Sequence, residues 1–279
     1  MTPSFLDSPN ALFGTTVRVV SRLSPAFTRV TLAGPQLAHL VPRGLDQRIK
    51  ILLSPAAYPA ELDRALLPEA EWRREWRDLP RDRRPVLRSY TVSSARPEGQ
   101  ELDIDFFHHA TEGPACTWAR RAQVGDRLLV SAPDARRDAG RHGVQWDPGS
   151  ARRVLICGDE TAFPAVRGIV RDLPADVAAE VLVEAADPRD AEWLRDDVGD
   201  RLAVVLRAAG QRGGDPLAAA VGAWARDNGA TAASAGDGFY AWCATESQRV
   251  ARIRSLLGSA GIRSDRVHVQ EYWNDRPRA

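Results

Sequence analysis

Lys50 is the only lysine in 279 residues, so nearly every positive charge is an arginine. A GC-rich coding sequence accounts for the bias, and its consequence is a chain rich in fixed guanidinium forks that suit phosphates and carboxylates. Excess charge of either sign is also missing. With 38 basic and 37 acidic residues the net charge is +1, which excludes a global field able to hold nucleic acid or an anionic membrane. The three cysteines, Cys116, Cys157 and Cys243, are odd in number and far apart. That argues against a disulfide framework and against a zinc site. No apolar run approaches the roughly 18 residues of a membrane span. The opening MTPSFLDSPNALFG lacks a basic n-region and an apolar h-region, so the expectation is a soluble, cytoplasmic protein. There is no GxGxxG and no internal repeat. What is present is 44% apolar residues, enough to build a full core in one large or two ordinary domains.

The chain changes character near residue 140. Before it, short β-rich runs alternate with turns: Thr15 to Val20, Thr28 to Leu32, Arg48 to Leu53, Val86 to Val92, Glu101 to His108 and Arg127 to Ser131. This spacing predicts an antiparallel sandwich or barrel, and the alternation in LDIDFF predicts a strand with one buried face. The charged stretch Pro59 to Pro85 reads as a surface insertion holding one amphipathic helix, with Trp72 and Trp76 four apart. Arg136 to Ser150, rich in Gly, Asp and Arg, reads as a linker. After it, the apolar runs Arg153 to Cys157, Glu180 to Ala185, Leu202 to Arg207, Phe239 to Cys243 and Arg266 to Val269 alternate with helical segments. Continuous apolar strands between helices predict a parallel sheet covered on both faces. The expected domains are residues 1–140, an antiparallel β-barrel, and residues 151–279, an α/β parallel-sheet domain.

Three segments carry chemistry. In Arg88-Ser89-Tyr90-Thr91 the Arg and Tyr are two apart on a strand and share a face. A cation and a flat aromatic on one face suit a phosphate-bearing planar cofactor, although an ordinary half-exposed strand would read the same way. Next, His109 precedes Gly113-Pro114-Ala115, a helix start whose free N–H groups suit an anion. The neighbouring pair His108-His109 points to opposite faces of a strand, which disfavours a shared metal ion. The third segment, Cys157-Gly158-Asp159-Glu160-Thr161, falls at the first strand-to-helix turn of the α/β part. Open parallel sheets bind ligands at such carboxyl ends, while Asp159 also fits a plain helix cap.

Together these segments resemble the siderophore-interacting protein family, a branch of the ferredoxin-reductase-like flavoproteins. RSYTV resembles the family's R-x-Y-T-V flavin motif, and DIDFFHHATEGPACTWA its D-x-D-F-x-x-H-G-x-x-G-P-A-x-x-W-A segment. CGDETAFPAV resembles its G-D-E-T-A-x-P-A-I turn, and WCATE with the terminal EYW its W-x-A-G-E helix start and Y-W-R end. The resemblance implies FAD on Arg88, Tyr90, Thr91 and Val92, with its pyrophosphate and adenine side served by His109, Gly113, Pro114 and Ala115. It implies NADPH or NADH bordered by Gly158, Asp159, Glu160, Thr161, Ala244, Glu246, Tyr272 and Trp273. Lys50 matches a lysine of the family's R-I-K-L strand and, with Arg249 and Arg254, is a candidate for holding an anionic iron chelate. No metal is expected as a resident group. Four positions depart from the family pattern: Ser93 for an arginine, Ala110 and Thr245 for glycines, and Asn274 for an arginine.

The activity so implied is a monomeric, FAD-dependent reductase that moves electrons from NAD(P)H to a ferric siderophore and releases ferrous iron. Two alternatives stay open: a flavin reductase with another acceptor, and a non-enzymatic module that binds a siderophore or flavin. Near the expected ribose 2′ position that separates NADPH from NADH, Arg189 argues for a phosphate and Asp187 against it.

Overall fold

The structure is a computed structural model that describes residues 8–54, 56–109 and 113–275. The chain divides into two compact units, Met1–Val144 and Gln145–Ala279.

The first unit contains β1 (Asn10–Ser24), β2 (Phe27–Ala33), β3 (Arg48–Leu53), β4 (Leu67–Pro68), α1 (Glu69–Asp78), β5 (Val86–Thr91), β6 (Ser94–Arg96), β7 (Glu101–Phe107), α2 (Pro114–Arg121) and β8 (Arg127–Pro133). One antiparallel sheet runs β5-β3-β8-β1-β2-β7-β6, with β4 paired beside β1. The two end strands, β5 and β6, are neighbours in sequence. Only Val92 and Ser93 join them, and their backbone N–H groups donate to Gln47 and Asp103. The two end strands are thereby held near one another, and the sheet curls into an open half-barrel. Phe13, Val30, Leu32, Ile49, Ile51, Ile104, Phe106 and Val130 fill the inside.

Two expectations need correction in this unit. The stretch from Pro59 to Pro85 is more than a surface insertion. Trp72 of α1 is fully buried and closes a second small core with Leu12, Leu52, Leu62, Leu67, Leu79 and Leu129, so the insertion covers the outer face of β1, β3 and β8. Strand β7 is buried on both faces rather than one. Its aspartates point away from the barrel interior, but arginines of neighbouring strands cover them. Arg29 holds Asp105 through two hydrogen bonds of 2.7 and 2.9 Å, and Arg96 with Thr31 holds Asp103.

The second unit contains β9 (Arg153–Gly158), α3 (Phe163–Arg171), β10 (Ala178–Ala185), α4 (Glu192–Val198), β11 (Leu202–Leu206), α5 (Asp215–Ser234), β12 (Phe239–Glu246), α6 (Ser247–Ser259) and β13 (Val267–Trp273). The sheet is wholly parallel in the order β11-β10-β9-β12-β13. β10 and β11 are laid down on one side of β9, and β12 and β13 on the other. The order therefore reverses between β9 and β12, and ligands of open α/β sheets bind outside the strand ends at such a reversal. The presumed linker is well packed: the Gly143 carbonyl accepts from the Arg48 N–H in the first unit, and Trp146 is buried edge-on against Tyr240 in the second. Among the described residues no helix is long and apolar enough to cross a membrane, and the three cysteines are buried and free.

Candidate functional site

The register of β3 and β5 decides what the first unit offers. Arg88 and Tyr90 stand opposite Ile51 and Ile49, both members of the interior core. The Tyr90 ring rests on Phe106, with centroids 4.6 Å apart, and Phe106 in turn meets Trp118 of α2 at 5.5 Å. Burial pushes the Tyr90 phenol well above its ordinary pKa, with the neighbouring Cys116 of α2 adding to the rise and Arg88 opposing it. Tyr90 therefore stays neutral and is fixed as a flat, half-exposed surface. Arg88 is exposed, and its one hydrogen bond among the described residues goes to the Leu87 carbonyl, so its charge is free for an anion. The start of α2 lies on the same side as Tyr90. Gly113 is its N-cap in extended conformation and Pro114 its first residue; a Cβ on Gly113 would meet nothing within 4 Å. Ala115 is buried behind it. Thr91 and Val92 are buried at the end of β5. His109 lies edge-on to Phe107 at 4.7 Å, and His108 turns to the Thr28 hydroxyl at 2.8 Å. Among the described residues no group of three or more His, Cys, Asp or Glu could hold a metal.

A free guanidinium, an aromatic plate and an open helix N-terminus thus share one side of the unit. This set fits a dinucleotide such as FAD: the cation and helix start suit a pyrophosphate, and the ring suits an isoalloxazine. Ser93, where the family pattern has an arginine, donates to Asp105 at 2.6 Å and accepts from Arg29 at 3.0 Å, so a guanidinium from β2 already stands beside that position. Ala110 lies outside the described residues.

Lys50 falls on the other side of the strand. It stands opposite Ser89 on β5 and Ser131 on β8, and its ammonium donates to the Ser89 hydroxyl at 2.7 Å. Its face is the one the α1 insertion covers. Lys50 and the Arg88–Tyr90 pair therefore project from opposite faces of the sheet.

In the second unit the strand ends at the reversal point are tied together by one carboxylate. Asp159 is 1% exposed. It accepts from the Thr161 N–H at 2.9 Å and hydroxyl at 2.5 Å, capping the turn into α3. Its second oxygen accepts from the Thr245 hydroxyl and the Trp273 indole N–H, both at 2.7 Å. The turn from β9, the end of β12 and the end of β13 are thereby joined. Thr245, in a position where the family pattern has glycine, is fully buried by this bond. Gly158 must be glycine because a Cβ there would stand 2.6 Å from that of Ala162; the turn's own packing, rather than a ligand, fills the space. Ala244 is buried as well, whereas Thr161, Tyr272 and Trp273 keep part of their surface exposed. Gly158, Asp159, Glu160, Ala244 and Glu246 underlie the strand-end surface, and Thr161, Tyr272 and Trp273 form it.

Two ion-pair clusters flank this point. The Arg207 guanidinium bridges Glu160 (2.6 Å) and Glu184 (2.5 Å). Burial raises the Glu160 pKa, with Arg207 partly offsetting it. Glu184 is fully buried and accepts from the N–H groups of Gly214 and Leu217, so an internal carboxylate occupies the start of α5. Glu246 caps α6 by accepting from the Gln248 and Arg249 N–H groups. Burial tends to raise the pKa of Glu246, yet Ser247 and Arg249 bring it below the ordinary value. Arg249 is buried between Asp215 (2.9 Å) and Glu246 (3.1 Å), while Arg254, further along α6, is exposed. The motifs pass over Arg207, Glu184 and the Gly213-Gly214 pair, which press against Trp273 and Thr245. A glutamate inside the apolar run EVLVEA and a Gly-Gly before Asp-Pro are the sequence signals for them.

A curled antiparallel sheet with a free cation, an aromatic and a helix start, on one chain with a doubly wound parallel sheet, defines a two-domain cofactor-binding protein. Residues 16–137 match the model of the siderophore-interacting FAD-binding domain, and residues 151–276 that of the siderophore-interacting protein. The chain belongs to the siderophore-interacting protein family, whose members bind flavin. It is 30% identical over 224 residues to the mycobactin import ATP-binding/permease protein IrtA of Mycolicibacterium smegmatis, covering 78% of this chain and 23% of that protein. It is 28% identical over 194 residues to the ferric vibriobactin reductase ViuB of Vibrio cholerae, covering 69% of this chain and 66% of ViuB. The crystal structure of the siderophore-interacting protein SipS from Aeromonas hydrophila shares the fold, with a TM-score of 0.70, 24% identity, and coverage of 97% of this chain and 94% of that one.

Proposed function

We propose that this chain is a cytoplasmic, FAD-dependent reductase that draws electrons from NADH or NADPH and passes them to a ferric siderophore. The likeness to ViuB, a ferric vibriobactin reductase, supports the acceptor class. The observation that carries the flavin half is the placement of the unpaired Arg88 guanidinium and the half-exposed Tyr90 ring on one face, beside the open start of α2.

Bound FAD would supply the conversion between a two-electron donor and a one-electron acceptor. The protein's own residues bind and orient. Arg88 and the α2 start hold the pyrophosphate, and Tyr90, kept neutral by burial, supports the ring. In the second unit Asp159 fixes Trp273 and Thr161 at the strand ends, where the nicotinamide would be received. No nucleophile and no acid–base pair is needed. A ferric chelate of hard oxygen ligands loosens on reduction, because the metal's charge falls. The anionic chelate would be met by exposed arginines such as Arg254. Lys50, on the opposite face from Tyr90, would act in a chelate site only from that side.

The test is a visible spectrum of the purified protein with FAD, followed by anaerobic addition of NADH or NADPH and then a ferric siderophore. Yellow colour that bleaches with nicotinamide and returns as ferrous iron appears supports the reading. A yellow protein that never bleaches would leave a flavin- or chelate-binding module.

A further inference from the structure

The loop after β10 carries the two residues with opposite implications for the nicotinamide, and the structure shows that they are partners. Arg189 donates to both Asp187 oxygens, through Nε at 3.0 Å and through Nη2 at 2.5 Å, and its backbone N–H caps onto the same carboxylate. The one exposed cation of this loop is thus committed to a carboxylate two residues away. Asp190 and Glu192 add two further negative charges beside Arg189. At the adjacent strand end, where the Arg207 N–H donates to the Ala185 carbonyl, the Arg207 guanidinium is shared between Glu160 and Glu184. At the carboxyl end of β10, Arg189 is therefore bound by Asp187, with Glu192 nearby, and Arg207 by Glu160 and Glu184. In doubly wound sheets an acidic residue near the end of the second strand accepts the ribose hydroxyl of NAD, whereas a nearby arginine accommodates the 2′-phosphate of NADP. β10 is the second strand of this sheet, next to β9 at the order reversal.

We propose that Asp187, paired with Arg189, makes the second unit select NADH over NADPH, accepting a ribose hydroxyl and opposing a 2′-phosphate. This rests on the nicotinamide reading of that unit and names its substrate. A 2′-phosphate would bring up to two negative charges to an end where Arg189 and Arg207 are both already held by carboxylates, and it would have to displace Asp187 from Arg189.

The test uses the FAD-loaded protein and two probes that differ only in that phosphate, ADP-ribose and 2′-phospho-ADP-ribose, titrated by calorimetry without turnover. ADP-ribose is expected to bind about tenfold tighter or more, the effect of one unfavourable charge contact near a surface, and added salt should narrow the gap. Asp187→Asn keeps the cap and removes the charge. It should narrow the ratio by about tenfold, chiefly through tighter binding of the phosphorylated probe. The exposed Glu192→Gln should move the ratio the same way by less. Equal or tighter binding of the 2′-phospho probe to the unaltered protein would overturn the proposal and leave the nicotinamide reading standing, as would a ratio that Asp187→Asn leaves unchanged. Binding of neither probe would overturn both.

Discussion

Removing the Arg88 charge is the most direct way to test the flavin site. Arg88 is exposed, and among the described residues its one hydrogen bond is to the Leu87 carbonyl. Its loss should therefore cost the fold little, within about 0.5 kcal/mol for such a surface position. Binding should suffer far more. A hydrogen bond between a guanidinium and a phosphate contributes about 1.5–3 kcal/mol, so Arg88→Leu should weaken FAD binding by roughly 10- to 150-fold. Arg88→Lys keeps a point charge but not the planar fork and should fall between the two. The assay is quenching of flavin fluorescence on titration into flavin-free protein, with a melting curve of each variant beside it. An unchanged FAD affinity in Arg88→Leu with an unchanged melting temperature would refute the reasoning. So would an affinity loss that merely follows a loss of folded protein.

Other outcomes follow from the packing. Gly214 lies at φ +83°, and a Cβ there would stand 2.8 Å from the Thr245 hydroxyl; Gly214→Ala should destabilise by about 1–3 kcal/mol, and Thr245→Gly should relieve part of that cost, so that a double-mutant cycle in urea shows the pair to be non-additive. Trp72→Ala, in the fully buried core of the insertion, should cost about 3–5 kcal/mol, against almost nothing for the exposed Val124→Ala; equal effects would mean that the insertion is not a structural element. Asp103 and Asp197 are partly desolvated, which raises a carboxylate pKa, but Arg96 with Thr31, and Arg167 with Arg171, outweigh this and hold both below the ordinary aspartate value. Because the folded-state values are depressed, their contribution is present above the unfolded value of about 3.9 and is lost as pH falls through the folded one. Melting temperatures should drop as the pH is lowered below about 5, and the slope should be shallower in Asp103→Asn and in Asp197→Asn; an unaltered slope in the double variant would remove these pairs from the account.

Much of this protein is written in local pattern. The alternating runs before residue 140 and the continuous apolar runs after it specify an antiparallel sheet and a parallel one, because side-chain period and the need to bury one face or two are properties of neighbouring residues. The i, i+2 spacing of Arg88 and Tyr90 puts them on one face for the same reason, and Gly113-Pro114 marks a helix start through backbone chemistry alone. Tertiary structure decided the rest. That Trp72 belongs to a core depends on which strands the insertion lies across. That Lys50 and Tyr90 face apart emerges from the register between β3 and β5. Asp159 and Trp273 are 114 residues apart and share a hydrogen bond only because β13 is placed beside β12 in the parallel sheet. Arg249 is a candidate for an anionic chelate in the sequence, yet Asp215 from another helix engages it in a buried ion pair. Sequence sets the kind and spacing of charges, but the partner of each is chosen by contacts between distant segments, and no local periodicity records them.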